Sequence, residues 1–564
     1  MKRQIEVDAA DSIFTPQDGA YEVPDTVDCV PMDSPRQSTV RESVMVEFHA
    51  AELLYDEDKR SYSGRIRTWP GLTLLAAVIA LSVVLMTHFA MEARKTKQAL
   101  SLAAQQRQYV IRTIGGGNTT NGTGIDIGPI LVDTDGVVGN PKVYPTPKCG
   151  LPNYVSKNNK IYSVSASGAE VPLAIKGLNW FGMETGDAIP FGLWANDKNG
   201  TTAYQVAAFL AANKFNSIRL PVSIYNIANN VKPNKNMINV AANRAFDVSS
   251  YMALLKSVIS TLAYRKISVL ISLHTLTPKS SGGAWFSDEI SKETFLAAVD
   301  TLTTNLCNAK FWNIIGLDLK NEPYESTWGD NGPKDFQAGA TTIGNRMLKG
   351  CPQWLAFVEG VVGTHQVTIG SDTYAYYDWW GGGLQKAGAS PVELSIPNKV
   401  VYAPHYYTPA VYPQTYLYGK GAVSGGNGVM IGYKELSDDD LRRNIAATMN
   451  DMFGYLTKQQ DAALVLGEFG GLYATDKHPL KTTKRCTDFT LEVITSSGYA
   501  GGYIWSLNPE SAYQYNPADQ LGNFVEGVLN TDWLTINSDY LQGLKPFDAM
   551  PDLKMFPCFL EDST

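Results

Sequence analysis

The sequence predicts an α/β protein whose body is a closed (β/α)8 TIM barrel, preceded by a disordered tail, one transmembrane helix and a flexible stalk. Three observations carry this. From Tyr154 onward, apolar strand-like runs alternate with helical patterns, as parallel βα units do. Eight such runs can be placed, the count at which a parallel barrel closes. The residues at the C-terminal ends of these runs are chemically unusual, and that end of a barrel is where reactive groups gather. The body spans about 410 residues against the ~250 typical of the fold, so long βα loops are expected at the active face.

Residues 1–68 hold many Asp, Glu, Ser, Thr and Pro with no amphipathic repeat and no strand pattern, which predicts a disordered acidic tail. Residues 69–91, Trp69 to Met91, form an uncharged run of 23, matching the ~20 that span a bilayer as a helix. A cleaved signal peptide would begin near residue 1, and a core helix would show a polar face, so this run reads as a transmembrane helix. Residues 92–148 are expected to continue as a helix to Ile114 and then as a stalk rich in Gly, Asn, Thr and Pro. Lys59, Arg60, Arg65 and Arg67 on one side of the apolar run are balanced by Arg94, Lys95, Lys97 and Arg107 on the other, so positive charge sets no orientation. Three Asn-x-Thr sequons, at Asn118, Asn121 and Asn199, all follow the helix. Glycosylation there would put the N-terminus in the cytosol and the body outside the cell or in a lumen. The chain then reads as an uncleaved single-pass protein of the plasma membrane or secretory vesicles.

The net charge of -8 arises in the first sixty residues, which hold 14 acidic and 6 basic side chains. The body is balanced and has no basic footprint, so nucleic acid is not an expected partner. Six cysteines in 564 residues are too few for a disulfide scaffold, and neither they nor the six scattered histidines show metal-ligand spacing. No metal and no cofactor are expected. Outside the cell some of Cys149, Cys307, Cys351, Cys486 and Cys558 should pair, and Cys149 with Cys558 is attractive because it would join the two ends of the barrel domain, residues 149–564.

The eight runs are Leu173 to Phe181, Ser217 to Pro221, Ser268 to Leu273, Ile314 to Leu319, Ala356 to Glu359, Val400 to Tyr406, Ala463 to Phe469 and Gly502 to Leu507. The fourth sits in IIGLDLKNEPY, where an apolar strand delivers Asn321 and Glu322 before Pro323 stops it. The second carries Arg219, the third ends in His274, the sixth in His405 and Tyr407, the seventh in Glu468 and the eighth in Trp505. Two carboxylates on the fourth and seventh strands, in the company of Arg, His, Asn, Tyr and Trp, converge on one pocket.

With KGLNWFGMETG, SIRLPVS, DLKNEPY, WLAFVEGV, WWGGGLQKAG, APHYYTPAVYPQTY, LGEFGG and WSLNPES in that order, the body resembles glycoside hydrolase family 5, the clan A cellulase family, and within it the bacterial-type endo-β-1,4-glucanases. The resemblance implies a retaining endoglucanase that cuts internal β-1,4-glucosidic bonds of a cellulose-like β-glucan polysaccharide by double displacement. It assigns Glu322 as acid/base and Glu468 as nucleophile. Arg219 and Tyr407 would favour the ionised form of Glu468, Asn321 would hold the sugar 2-hydroxyl, and His274 and His405 would orient carboxylates or bind hydroxyls. Relatives often place Asp two residues before the histidine of the third strand, where this chain has Ser272. Trp505 would underlie the sugar at the cleavage point, and Trp180, Trp285, Trp379 and Trp380 are candidates for further subsites of an open groove. The catalytic domain is expected to be monomeric. The alternatives are a retaining β-1,3-glucanase or β-mannanase with the same carboxylates and different loops, and a noncatalytic glycan-binding wall receptor suggested by the anchor and tail.

Overall fold

The computed structural model describes residues 68–114, 131–145 and 148–560. The expected tail and the sequons at Asn118 and Asn121 lie outside the described residues.

The expected membrane segment and its helical continuation form one helix, Thr68–Ile114. Its part Trp69–Lys95 contains an 18-residue stretch of mean hydropathy 2.3 and spans about 40 Å at 1.5 Å per residue. The Thr73 and Thr87 hydroxyls donate back to Trp69 O and Val83 O at 3.0 and 2.9 Å, so neither leaves a polar group unpaired in an apolar surrounding.

In the body, all eight runs are parallel strands of one ring. The first four are Ile175–Asn179, Ser217–Ser223, Ser268–Thr275 and Ile314–Asp318. Leu355–Val358 is the fifth, and the sixth and seventh come in two pieces each, Val400–Tyr402 with His405–Tyr407 and Ala463–Leu464 with Leu466–Gly470. Gly501–Ile504 is the eighth and pairs back onto the first. Sixth and seventh strands pair through both pieces, which closes the barrel. One run is corrected: Leu173 belongs to a separate strand, Glu170–Leu173, and the barrel strand begins at Ile175. Gly177 on the first strand lies against the Tyr503 ring, where a Cβ would come within 2.2 Å of Tyr503 Cδ1.

A three-stranded antiparallel sheet, Asn153–Lys157, Lys160–Val164 and Glu170–Leu173, precedes the barrel. Its first turn needs φ of 53° and 57°, supplied by Asn158 and Asn159, residues that tolerate the left-handed region. Tyr154, Ile161 and Leu173 from this sheet pack with Ile175, Trp312, Phe357, Tyr503 and Phe556 in one apolar layer that closes the barrel at its N-terminal end. Cys149 and Cys558 are joined there, with Cα atoms 5.1 Å apart. A second bridge, Cys307–Cys351, ties the ends of the two helices flanking the fourth strand, and Cys486 is free and buried.

Part of the expected stalk packs on the barrel domain. Residues 131–145 dock on the body: Arg244 pairs with Asp133 at 2.9 Å and Asp135 at 2.6 Å, and Asn140 donates to Ala241 O at 2.8 Å. Composition alone marks this segment as linker because its partners lie about a hundred residues away.

Three of the long βα loops are laced together around His478. Its Nδ1 lies 2.7 Å from Asp476 Oδ1, and its Nε2 meets Tyr418 Oη and the backbone N–H of Ala518, each at 3.1 Å. These contacts connect the loops that follow the sixth, seventh and eighth strands. The loop after the fifth strand is a hairpin of its own, Thr364–Ile369 with Asp372–Tyr377.

Candidate active site

Alternation along the strands builds the site. On the fifth strand Leu355 and Phe357 face the apolar layer, and the next residue on that face, two further on, is Glu359. On the second strand the same step leads from Ser217 to Arg219. Arg219 has no exposed surface, so its charge must be matched inside the barrel. Its Nε donates to Asp318 Oδ2 at 2.8 Å, and Nη2 lies 2.6 Å from the same oxygen. Nη1 donates to Asn179 Oδ1 at 2.9 Å and Glu468 Oε1 at 2.5 Å, and Nη2 to Asn321 Oδ1 at 2.7 Å and Glu359 Oε1 at 3.1 Å. Burial works against the guanidinium charge, but Asp318, Glu468 and Glu359 outweigh it and raise the pKa further.

Glu468 on the seventh strand accepts from Arg219 on one oxygen and from the Tyr407 hydroxyl on the other. Burial and the adjacent Glu468 charge push the Tyr407 phenol well above its usual range, so it stays a donor. Glu322 sits just past the fourth strand at φ 46°, a left-handed conformation that costs a non-glycine residue roughly 1–3 kcal/mol unless its surroundings impose it. Here the Glu322 N–H donates to Glu359 Oε2 at 2.8 Å. Burial raises the Glu322 pKa, while its contact with His405 pulls the other way. A carboxyl raised by burial, beside a second one that accepts from an arginine and a tyrosine, gives the two groups the unlike surroundings that acid and nucleophile require.

His405 lies between the carboxylates. Nδ1 is 3.1 Å from Glu322 Oε1 and 3.6 Å from Glu468 Oε2, and Nε2 is 3.1 Å from Glu359 Oε1, off the line of a good hydrogen bond. Burial disfavours its charge, yet Glu359, Glu468 and Glu322 together hold the ring well above its usual pKa. His274 is the opposite case: burial, then Arg219 and Lys320, push it well below, so it is a neutral imidazole. Its Nδ1 and the Ser272 hydroxyl, both buried, lack hydrogen-bond partners among the described residues. The Asn321 side chain gives its oxygen to Arg219, which directs its amide N–H groups elsewhere.

Trp505 is 6% exposed, with the Phe181 and His274 rings nearly parallel to it at 5.4 and 5.9 Å. Trp180 and Trp379 do not offer platforms. Each is buried, with the indole N–H held by Phe191 O at 3.0 Å and by Tyr416 Oη at 3.0 Å respectively, so both are packing residues. Trp285 is buried against Phe286 and Phe295. Trp380 is half-buried and stacks on Tyr324, two residues past Glu322, at 4.0 Å. Asn199 is half-buried in a turn where its backbone and side-chain oxygens both accept from Asn196.

Sequence reasoning passed over Asn179, Asp318, Lys320 and Glu359, all buried and all part of this cluster. Burial raises Asp318 to about 7, with the charge of Glu359 adding to it, and lowers Lys320 to about 8. Each sits in a motif already quoted, and the available signal was a charged or amide side chain at the end of an otherwise apolar run. Ligand atoms of Glu322, His405 and Glu468 lie within 4.8 Å of one another, close enough to hold a metal ion. The Glu468 oxygens already accept from Arg219 and Tyr407, and the trio is better matched to proton transfer.

A parallel barrel with two carboxylates facing each other across its C-terminal mouth, one held by a buried arginine and a tyrosine, defines a glycoside-bond hydrolase. Residues 164–511 match the family model for cellulase, glycosyl hydrolase family 5. The chain belongs to that family and is a glycoside hydrolase. It is 28% identical over 386 residues to an endoglucanase of Paenibacillus polymyxa, covering 68% of this chain and 84% of that one. It is equally identical over 393 residues to the major extracellular endoglucanase of Xanthomonas campestris pv. campestris, covering 69% and 70%. Among solved structures, a cellotetraose complex of the Pyrococcus horikoshii endocellulase aligns with TM-score 0.57 at 27% identity, over 70% of this chain and 98% of that one. The catalytic domain of the Xanthomonas enzyme aligns with TM-score 0.54 at 27% identity, over 70% and 99%.

Proposed function

We propose that the chain is a retaining endo-β-1,4-glucanase anchored in a membrane by the helix at Trp69, with its barrel domain on the extracellular or lumenal side. The observation that carries the mechanism is the close approach of Glu322 and Glu468, whose facing oxygens are within 4.8 Å. Retaining enzymes place their carboxyl groups ~5–5.5 Å apart, whereas inverting enzymes leave ~6.5–9.5 Å for a water. Glu322 protonates the leaving oxygen while Glu468 attacks the anomeric carbon; water then releases the sugar, giving its proton to Glu322. The endoglucanase relatives and the cellotetraose-bound endocellulase support a cellulose-like substrate.

Two measurements on the full-length protein test this. Proton NMR of fresh cleavage products from a β-linked cello-oligosaccharide should show the β-anomer first, and initial α-product would overturn retention. Carboxymethylcellulose should be cut faster than laminarin or mannan, and a reversed order would transfer the chain to another β-glycan. For the anchor, carbonate-washed membranes should retain the chain, and removal of residues 69–91 should release it. Sequon-dependent glycan on Asn199 would support the lumenal side.

A further inference from the structure

We propose that Glu359 is a positioning residue for the acid step: it holds the backbone of Glu322 and the ring of His405, so that the Glu322 carboxyl is presented to the leaving oxygen. This rests on the retaining reading above. Glu359 is fully buried, with two donors on it, the Glu322 N–H and Arg219 Nη2, and the His405 ring in ion-pair contact. Oε2 accepts from the Glu322 N–H at 2.8 Å; Oε1 lies 3.1 Å from both Arg219 Nη2 and His405 Nε2. His405 in turn reaches Glu322 through Nδ1 at 3.1 Å. Both supports of the acid, its left-handed backbone and its ring partner, therefore converge on one carboxylate. The nucleophile depends on it much less, because Arg219 keeps Asp318, Asn179 and Asn321 as acceptors alongside Glu468, and Tyr407 donates to Glu468 independently.

The Trp-Trp-Gly-Gly segment belongs to the same device. Gly381, at φ 75°, lies against Glu359, where a Cβ would come within 2.4 Å of Oε2. Its carbonyl accepts from the Gly360 N–H at 2.7 Å, which fixes the turn that carries Glu359. A glutamine at 359 has the same shape but only one acceptor oxygen and no charge, so its NH2 group must face either one of the two donors or the His405 ring.

The acid step breaks the C–O bond as the Glu322 proton moves to the glycosidic oxygen and the Glu468 oxygen bonds to the anomeric carbon. A dinitrophenolate leaves without that proton, whereas a sugar alcohol does not. The test compares kcat/KM of full-length wild type and Glu359→Gln on cellotetraose and on 2,4-dinitrophenyl β-cellobioside. Active sites are counted by trapping with the 2-deoxy-2-fluoro analogue of the aryl substrate. The expected result is a loss of roughly 100-fold on cellotetraose, the scale of general acid catalysis, and less than about threefold on the aryl glycoside. Equal losses on both substrates, or no loss on cellotetraose, would overturn the proposal. Wild type that fails to trap on Glu468 would instead overturn the retaining reading. If Glu359→Gln does not fold, Glu359→Asp, which keeps the charge but retracts it, is measured in the same way and must show the same substrate split.

Discussion

The two ends of the barrel solve the same packing problem in opposite ways. At the N-terminal end the interior is filled by Ile175, Leu270, Phe357, Val401, Val465 and Tyr503 and sealed by an antiparallel sheet. Further along the same strands the interior is filled by Arg219, Asp318, Glu359, His405 and Glu468. Apolar burial is insensitive to partner identity, and one side chain can be exchanged for another of like volume. Buried charge is not so forgiving, because each group is tolerable only while its partners stay. The difference teaches that one end carries stability and the other carries a set of protonation states.

Glu468→Ala should break the comparison most sharply on the functional side: hydrolysis of a cello-oligosaccharide should fall by roughly four or more orders of magnitude in a chain that circular dichroism still shows to be folded, and Glu322→Gln should be nearly as severe on that substrate. Arg219→Met crosses from function into stability. It leaves Asp318, Glu359 and Glu468 buried without their common cation, and should cost about 3–5 kcal/mol in urea unfolding as well as activity. At the sealed end, Cys558→Ser opens a cross-link spanning 409 residues and Cys351→Ser one spanning 44. Each should cost about 2–5 kcal/mol, the longer span more, with kcat preserved; calorimetry and initial rates on the same samples decide this. The smallest effect is in the pH profile. His405 pulls the Glu322 pKa down, so His405→Gln should raise it. The acid then stays protonated to higher pH, and the alkaline limb of kcat/KM moves upward on whatever activity remains. A downward move would reverse the assigned coupling.

Much of this was legible in the chain itself. The strands were readable because parallel strands buried on both faces are nearly continuous apolar runs, and the two glutamates because each interrupts such a run at its end. The start of the first strand was misplaced because Leu173 and Ile175 are equally apolar while their strands run in different sheets. Glu359 is harder to read because WLAFVEGV is a strand whose terminal acid has no partner nearby in sequence; only the structure brings the Glu322 N–H to it. The tryptophans show the same limit, since Trp180 and Trp380 are alike in sequence and differ in what covers them. The docking of residues 131–145 depends on Arg244, and no local pattern announces a partner that distant.

The knot of contacts at His478 has a bearing on how the active face of such an enzyme can diverge. Because the loops after the sixth, seventh and eighth strands share one buried imidazole, replacing any one of them alone would strand the polar groups of the other two. Variation in that wall of the groove should come as joint exchanges or hardly at all. The hairpin after the fifth strand is tied into the same wall, because Gln414 holds the Tyr377 backbone at 2.7 and 3.2 Å and Lys420 pairs with Asp372 at 2.7 Å, so it should vary together with the loop after the sixth strand.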